Sequence, residues 1–213
     1  MKIVIMSATA MELEWIQKQS IQTAHELTFE THGVGILSAS FQIPVLARNA
    51  DYLVQFGIAG SYVPHLQPGD VVLVEREQLG DEGAESTEGF LSSVSLQLRN
   101  PDTSPFQNDM LINPHLPVAN KLYRAKGITV NTVSGSKETI TMRQQLFQAD
   151  IESMEGAAFA FVAAQFSCKA HQIRSISNQI EPRNKENWDI PLAIKQLNNF
   201  LKEYFEDLKE MSL

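Results

Sequence analysis

Short apolar runs rich in β-branched residues alternate along this chain with segments of helical periodicity, and this alternation constrains the fold more than any other feature. The apolar runs predict buried strands, and the segments between them predict helices. Strands that alternate with helices are typical of a sheet covered by helices on both faces. The sequence therefore predicts an α/β fold.

The predicted elements cover most of the chain, which at this length is expected to form a single domain over residues 1–213. Strands are predicted over Lys2–Ser7, Leu27–His32, Tyr52–Phe56, Asp70–Glu75, Ile128–Val133 and Ile173–Ser177. Helices are predicted over Met11–Gln17, Ile36–Arg48, Thr139–Phe147, Met154–Phe166 and a final segment with an apolar face of Ala193, Leu197, Phe200, Leu201, Tyr204 and Leu208. Residues 78–117, rich in glycine and proline, are predicted as a long irregular insertion.

The charge balance and the cysteine count exclude several classes of partner. Lys and Arg number 17 against 25 Asp and Glu, a net charge of −8, and no basic run offers a surface for nucleic acid. No apolar run approaches the roughly 20 residues that span a bilayer. The apolar start of the chain is too short for a signal peptide, and the single cysteine, Cys168, cannot form an internal disulfide. A cytoplasmic protein that binds neither nucleic acid nor membranes is expected.

Two glycine-rich segments follow predicted strands, where ligands bind in α/β folds. Gly33-Val34-Gly35 lacks the third glycine of a dinucleotide fingerprint, because position 38 is Ser38. Gly57-Ile58-Ala59-Gly60 is likewise predicted as a tight turn. Each alone is weak, but together at two strand ends they favour a binding site. The five histidines show no metal-ligand spacing, so no metal is expected.

Carboxylates near the strand ends are the next candidates. Glu12 and Glu14 follow the first predicted strand directly, and Glu155 opens an otherwise apolar helix. A carboxylate at a helix start can complement the helix dipole, or it can bind a ligand hydroxyl. Burial of such a group requires a partner in either case.

Two segments together resemble the nucleoside phosphorylase/nucleosidase family: Met154-Glu155-Gly156-Ala157-Ala158 and Arg174-Ser175-Ile176-Ser177-Asn178. Further segments follow the order of the family: Lys2–Ser7 with Glu12, His32-Gly33-Val34-Gly35, Gly57-Ile58-Ala59-Gly60, Pro68-Gly69-Asp70-Val71-Val72 and Val133-Ser134-Gly135. The resemblance covers nearly the whole chain. It implies a three-layer α/β/α fold with a central mixed β-sheet.

Within the family, three groups of residues resemble the futalosine hydrolase branch. They are Glu152–Ala157, Ser177-Asn178 with Glu181-Pro182-Arg183 and Trp188, and Asp81–Glu85 with Gly89-Phe90. This resemblance implies hydrolysis of the N-glycosidic bond of futalosine, which releases hypoxanthine and dehypoxanthine futalosine in menaquinone biosynthesis. It implies no cofactor.

The residue that reads the base gives one physical test of this branch. Members that release adenine end the second segment in Asp, whereas this chain carries Asn178. A carboxamide offers N–H donors, which suit the acceptors O6 and N7 of a 6-oxopurine. A 6-aminopurine would leave buried polar groups unpaired, and such mismatches discriminate strongly. Asn178 therefore favours hypoxanthine.

The nature of the nucleophile gives a second test. Phosphorylases of the family carry Arg two residues before the second glycine segment, where this chain has the uncharged Gln55. Hydrolytic members carry Glu after the first strand, the place of Glu12, with Glu14 as the alternative. A carboxylate there repels phosphate and can deprotonate water. Water is the expected nucleophile.

The resemblance implies roles for individual residues. Glu12 activates water, Glu155 binds the ribose hydroxyls and Asn178 binds the base. The residues expected to bind substrate are Ile58, Ala59, Gly60, Ser153, Met154, Ser177, Arg183 and Trp188. Arg183 and Arg143 are alternatives for the carboxylate of the substrate.

Relatives assemble as dimers or larger, so a homodimer or larger homo-oligomer that binds a small purine nucleoside is expected. The alternatives are a methylthioadenosine/adenosylhomocysteine nucleosidase with a variant base site, and a non-catalytic nucleoside-binding protein on the same fold.

Overall fold

The computed structural model describes residues 1–113 and 122–207. Its strands are β1 Lys2–Ser7, β2 Glu26–Thr31, β3 Tyr52–Ser61, β4 Val71–Leu79, β5 Gly83–Ser86, β6 Gly89–Ser92, β7 Leu111–Ile112, β8 Tyr123–Thr129, β9 Ile151–Ser153 and β10 Lys169–Gln179. Its helices are α1 Ala10–Leu13, α2 Ile36–Ala47, α3 Lys137–Phe147, α4 Gly156–Gln165 and α5 Ile190–Asp207, with 3₁₀ turns at Ile16–Lys18 and Lys185–Asn187.

The main sheet is mixed and partly closed on itself. β3 pairs in parallel with β1 and β10, and antiparallel with β9. β10 continues to β4, β4 to β8, and β8 back to β9, so five strands form a ring. β1 and β2 extend the sheet beyond the ring, and β7 pairs with β4. The mixed β-sheet expected from the resemblance is confirmed.

Helices cover the β1–β3 part of the sheet on both faces. Successive side chains of a strand point to opposite sides, and in β1 the apolar side chains on each side pack against helices. Ile3 and Ile5 of β1 pack in a core with Leu197 and Leu201 of α5. The alternate β1 side chains pack in a second core with α2 and α4, whose members include Ile43, Phe159 and Val162. The three-layer α/β/α arrangement is therefore confirmed.

The second glycine segment is not the tight turn that the sequence predicts. β3 continues to Ser61, so Gly57–Gly60 lies inside a strand. The backbone stays extended there because the whole segment pairs with β10, and Gly60 is paired on both edges, opposite Glu152 of β9 on one side and Asn178 of β10 on the other. The prediction that β10 ends at Ser177 is too short for the same reason.

Other boundaries also differ from the prediction. The Met11–Gln17 helix divides into α1 and a 3₁₀ turn, and α2 continues through Pro44. α4 begins at Gly156, and Glu155 occupies its N-cap. The 78–117 insertion contains the β5–β6 hairpin and β7. Its last residues, 114–117, and the predicted face position Leu208 lie outside the described residues.

No helix in the described part of the chain is long and apolar enough to cross a membrane.

Candidate active site

A cavity of about 280 Å³ opens at the carboxyl ends of β1, β3 and β10, beside β9. Most of the predicted site residues line it: Glu12, Ile58, Ala59, Gly60, Ser153, Met154, Glu155, Ser177, Asn178 and Trp188. The cavity is also lined by residues to which no role is assigned from the sequence, among them Thr9, Val34, Val133, Ser134, Glu152, Ile180, Ile190 and Ile194. The predicted site residues therefore share one cavity, with the exception of Arg183.

Glu12 and Glu14 lie in opposite environments. Glu12 is buried, and its Oε2 accepts hydrogen bonds from the backbone N–H and the hydroxyl of Thr9, both at 2.9 Å. Its Oε1 accepts from the N–H of Ile58 at 3.3 Å. Glu14 has a side chain 68% exposed and pairs with Lys18 at 2.7 Å. Glu12 is thus the carboxylate that faces the cavity.

Glu155 is buried at the N-terminus of α4, which stabilises negative charge. Its Oε1 accepts a hydrogen bond from the N–H of Gly35 at 2.8 Å, so the first glycine segment holds this carboxylate. Burial raises the pKa of Glu155, the charge of Arg174 and the Gly35 bond oppose that rise, and the charge of Glu12 adds to it. The two carboxylates therefore act on each other across the cavity.

Asn178 is held by two hydrogen bonds that fix the orientation of its amide. A β-bulge at Ser177 shifts the register of β10, a device that commonly re-aims side chains beside active sites. The hydroxyl of Ser177 donates to Asn178 Oδ1 at 2.7 Å, and Asn178 Nδ2 donates to the carbonyl of Gln179 at 2.9 Å. One N–H of Asn178 therefore remains for a ligand, fewer than the two donors that a free carboxamide offers.

Arg174, Gln55 and His32 form a buried chain of hydrogen bonds beneath the cavity. Arg174 Nη2 donates to Gln55 Oε1 at 2.8 Å, and Gln55 Nε2 lies 3.0 Å from His32 Nε2. His32 Nδ1 lies 2.9 Å from the carbonyl of Gly33, which only accepts, so Nδ1 carries the proton and Nε2 accepts from Gln55. Burial lowers the pKa of His32 to about 4. Both ends of the Gln55 amide are therefore occupied.

A second buried carboxylate, Glu77 of β4, supports the start of α4. Its Oε2 accepts from the hydroxyl of Thr129 at 3.0 Å, and that hydroxyl accepts from the N–H of Ala157 at 2.7 Å. Its Oε1 accepts from Gln172 Nε2 at 2.6 Å, and a Cβ added to Gly156 would lie 1.9 Å from Oε1. Burial raises the pKa of Glu77 to about 7. No sequence pattern indicated this residue.

Glu152 of β9 joins a cluster at the other side of the cavity. Its Oε1 accepts from the N–H of Ser134 at 2.7 Å. Its Oε2 accepts from the hydroxyls of Ser134 and Tyr62 at 2.7 and 2.6 Å, and from Arg143 Nη1 at 3.0 Å. No role is predicted for Glu152 from the sequence, because its three-residue strand is too short to show a periodic pattern.

The two arginines considered for the substrate carboxylate differ in their surroundings. Arg143 is buried and occupied by Glu152 and by the carbonyl of Thr132 at 2.9 Å. Arg183 is exposed, and its guanidinium lies over the ring of Trp188, 5.2 Å from the centroid. Trp188 lines the cavity but Arg183 does not. Arg183 therefore lies outside the cavity, against the Trp188 side chain that lines it.

Comparison with known proteins agrees with this architecture. The family model described as "Phosphorylase superfamily" matches residues 16–208. The futalosine hydrolase of Thermus thermophilus is 29% identical over 168 residues, 78% of this chain and 75% of the relative. The futalosine hydrolase of Streptomyces coelicolor is 29% identical over 159 residues, and the match covers 71% of this chain but 64% of that relative, less than two thirds of its length.

Solved structures share the fold at lower identity. The S-adenosylhomocysteine nucleosidase of Streptococcus pyogenes, in complex with 5-methylthiotubericidin, is 20% identical with a TM-score of 0.78, covering 98% of this chain and 97% of that one. The futalosine hydrolase of Helicobacter pylori is 18% identical with a TM-score of 0.77, covering 97% and 98%. With a family match that spans most of its length, the chain belongs to the phosphorylase superfamily.

Proposed function

We propose that this protein is a futalosine hydrolase, which uses water to cleave the N-glycosidic bond of futalosine into hypoxanthine and dehypoxanthine futalosine. The observation that carries the proposal is the convergence of Glu12, Glu155 and Asn178 on one cavity. The relatives from Thermus and Streptomyces named futalosine hydrolase support the choice of substrate. The reaction would then belong to menaquinone biosynthesis.

The base leaves toward Asn178. Its remaining N–H donates to an acceptor of the 6-oxopurine, N7 or O6, and so stabilises the negative charge that the departing base gains. The Ser177 hydroxyl and the Gln179 carbonyl hold the amide with this N–H free. Because the donor is already oriented, little reorganisation is needed in the transition state.

The sugar lies against Glu155 and Met154, which both line the cavity. Glu155 accepts hydrogen bonds from the ribose hydroxyls, while the Gly35 N–H keeps the carboxylate in position. The transition state at the anomeric carbon resembles an oxocarbenium ion and carries positive charge. The carboxylates of Glu12 and Glu155 stabilise that charge.

Glu12 takes a proton from the attacking water, and the absence of charge on Gln55 favours water over phosphate. Phosphate needs a cationic or N–H donor at its site. Gln55 carries no charge, and its amide is held by His32 at Nε2 and by Arg174 at Oε1, so it offers phosphate no cation. Glu12 adds a negative charge that repels a phosphate anion.

Product identification tests the proposal directly. The purified protein is incubated with futalosine in phosphate-free buffer, and the products are identified by mass spectrometry. Hypoxanthine and dehypoxanthine futalosine are expected, at a rate that added phosphate leaves unchanged. Efficient release of adenine from methylthioadenosine or adenosylhomocysteine, without hypoxanthine from futalosine, would favour the nucleosidase alternative. Binding of nucleosides without turnover would favour the non-catalytic one.

We further propose that Arg183 meets the carboxylate at the far end of the substrate. Arg143 is buried against Glu152, whereas Arg183 is exposed beside Trp188 at the opening. The guanidinium can form a charge-assisted pair with a carboxylate there. Because the contact is remote from the scissile bond, it contributes mainly to binding.

We also propose that the protein is cytoplasmic and acts as a homodimer or larger homo-oligomer. The single unpaired Cys168 supports the location. The apolar side chains exposed along α2, namely Leu37, Phe41 and Val45, support self-association. Fractionation of cells and measurement of the mass in solution test the two parts.

A further inference from the structure

A 6-oxopurine carries a polar group, the N–H at position 1, that Asn178 does not bind in the proposed arrangement. N7 and N1 flank O6 on either side, and in hypoxanthine N1 bears a hydrogen, whereas in adenine N1 is an acceptor. A site that binds hypoxanthine by N7 or O6 alone buries this N–H without a partner, which is costly. On the proposed function, the acceptor of this N–H lies on the side of the base away from Asn178.

Glu152 lies across Gly60 from Asn178 in the sheet. Gly60 of β3 lies opposite Asn178 on one side and opposite Glu152 on the other, so the two side chains flank the same backbone position. Neighbouring strands lie about 4.8 Å apart, which separates the two Cα atoms by roughly 10 Å. Both residues line the cavity. Gly60 adds no side chain between them, and a Cβ there would lie 2.8 Å from Ile180 Cγ1 and 3.4 Å from Asn178 Nδ2.

The hydrogen bonds of Glu152 leave one oxygen with acceptor capacity. Oε2 accepts from Tyr62, Ser134 and Arg143, while Oε1 accepts only from the backbone N–H of Ser134 among the described residues. A carboxylate oxygen has two lone pairs and accepts two hydrogen bonds without crowding. The side chain is buried with a positive partner, so it is held in place and its charge is balanced.

We propose that Glu152 is a specificity-determining residue, whose Oε1 accepts the N1–H of the 6-oxopurine. Asn178 reads the base from the N7 side and Glu152 reads it from the N1 side, with Gly60 between them. A 6-aminopurine would present the lone pair of N1 to this carboxylate, and two acceptors facing each other repel. Glu152 therefore favours hypoxanthine, whose N1–H it accepts, and disfavours adenine, whose N1 lone pair it repels.

The test compares the binding of hypoxanthine and adenine, measured by titration calorimetry, in the parent protein and in Glu152→Gln. A glutamine can turn an N–H toward N1 of adenine, so the preference for hypoxanthine is expected to fall at least tenfold, with hypoxanthine losing most of the affinity. Tyr62→Phe is the matched control, because it removes a bond to Oε2 within the same cluster but does not line the cavity. It is expected to leave the ratio of the two affinities unchanged.

An unchanged ratio in Glu152→Gln, in a protein that still releases hypoxanthine from futalosine, would overturn the role of Glu152 and leave the proposed function intact. A parent protein that binds adenine more tightly than hypoxanthine would overturn both. If Glu152→Gln does not fold, the parent protein decides the question with 6-methoxypurine, which keeps N7 and an oxygen at position 6 but has no hydrogen on N1. Binding at least tenfold weaker than hypoxanthine is expected, and equal binding would overturn the proposal.

Discussion

Glu12 and Glu14 are the same residue type two positions apart, but their different environments give them different expected roles. Glu12 is buried and faces the cavity, whereas Glu14 is paired with Lys18 at the surface. Glu12→Gln keeps an oxygen for the Thr9 donors but removes the proposed base, so kcat for futalosine is expected to fall by about 10²–10⁴ with little change in hypoxanthine affinity. Steady-state kinetics and calorimetry measure the two quantities.

Glu14→Gln is the matched control for that experiment and is expected to retain full activity, since an exposed ion pair contributes little. A fully active Glu12→Gln protein would remove Glu12 from the mechanism.

Asn178 makes a second prediction possible, because its orientation is fixed by Ser177 and Gln179. Asn178→Asp replaces the free N–H by an acceptor, which suits a 6-amino group. The ratio of kcat/KM for the 6-amino analogue of futalosine to that for futalosine itself is expected to rise at least tenfold. Competition between the two substrates measures the ratio, and an unaltered ratio would mean that Asn178 does not read the base.

Arg183 allows a prediction for the far end of the substrate. Arg183→Gln removes the proposed partner of the substrate carboxylate, so KM for futalosine is expected to rise about tenfold while kcat changes little. Steady-state kinetics at low and high salt measure the effect, which is expected to shrink as salt screens the charge. Equal KM values at low salt would argue against the contact.

At the scale of elements, the prediction was best where one periodic segment forms one element. β1 was predicted residue for residue, and α3 began two residues before its predicted start at Thr139. Long-range pairing decided the other cases. Gly57–Gly60 is predicted as a turn because glycine is a weak strand former, but pairing with β10 along the segment, and with β9 at Gly60, keeps it in β3. β9 was missed because three residues show no periodicity, and with it the position of Glu152.

Contacts between residues far apart in the chain also explain which features of the site could not be predicted from the sequence. Glu12 follows a predicted strand, so the rule for ligands at strand ends identifies it as a candidate, whereas Asn178 is a candidate only through the family resemblance. Glu77 lies within β4, and its bonds to Thr129 and Gln172 join residues far apart in the chain. Its importance arises from tertiary packing, for which one sequence offers no signal.

Glu77 links β4, β8, β10 and the first turn of α4, and its raised pKa predicts how stability varies with pH. The folded carboxyl titrates near pH 7, against an ordinary value of 4.5, so between these values the folded state binds more protons than the unfolded state. The free energy of unfolding is therefore expected to decrease as pH rises from about 4.5 to 7, by at most about 1.4 kcal/mol per pH unit from this group.

Glu77→Gln removes the titrating group and is expected to flatten this decrease. Urea unfolding of both proteins at several pH values between 4.5 and 8 measures it. Glu155, whose pKa is also raised by burial, adds a slope of the same sign in both proteins. Parallel curves for the parent protein and the variant would show that Glu77 does not titrate in this range.

At the scale of the whole molecule, the cavity lies next to a surface that one chain leaves uncovered. Leu37 and Phe41 of α2 are 83% and 71% exposed. They lie one helical turn apart on the same face, and the exposed Val45 lies one turn further along. Phe161 and Phe166, exposed on α4 or at its end, border the same groove as α2. Exposed apolar side chains grouped in this way are characteristic of a protein–protein interface.

Val34 connects this surface to the candidate active site, because it is largely exposed and also lines the cavity. A second copy of the chain seated on α2 would therefore cover the cavity edge as well as the apolar side chains. Association through this face would exclude water from the sugar end of the site, which strengthens electrostatic interactions there. The oligomeric state and the activity are then expected to depend on the same residues.

Phe41→Glu tests this dependence, since a charge in the middle of an apolar interface is buried at high cost. Light scattering after gel filtration is expected to give a multiple of the 23.8 kDa chain mass for the parent protein and the chain mass itself for the variant, with reduced turnover of futalosine. Leu146→Glu, at an exposed position of α3, is the control that should keep the parent mass. A parent protein that elutes as a monomer with full activity would show that the α2 surface is not needed to complete the site.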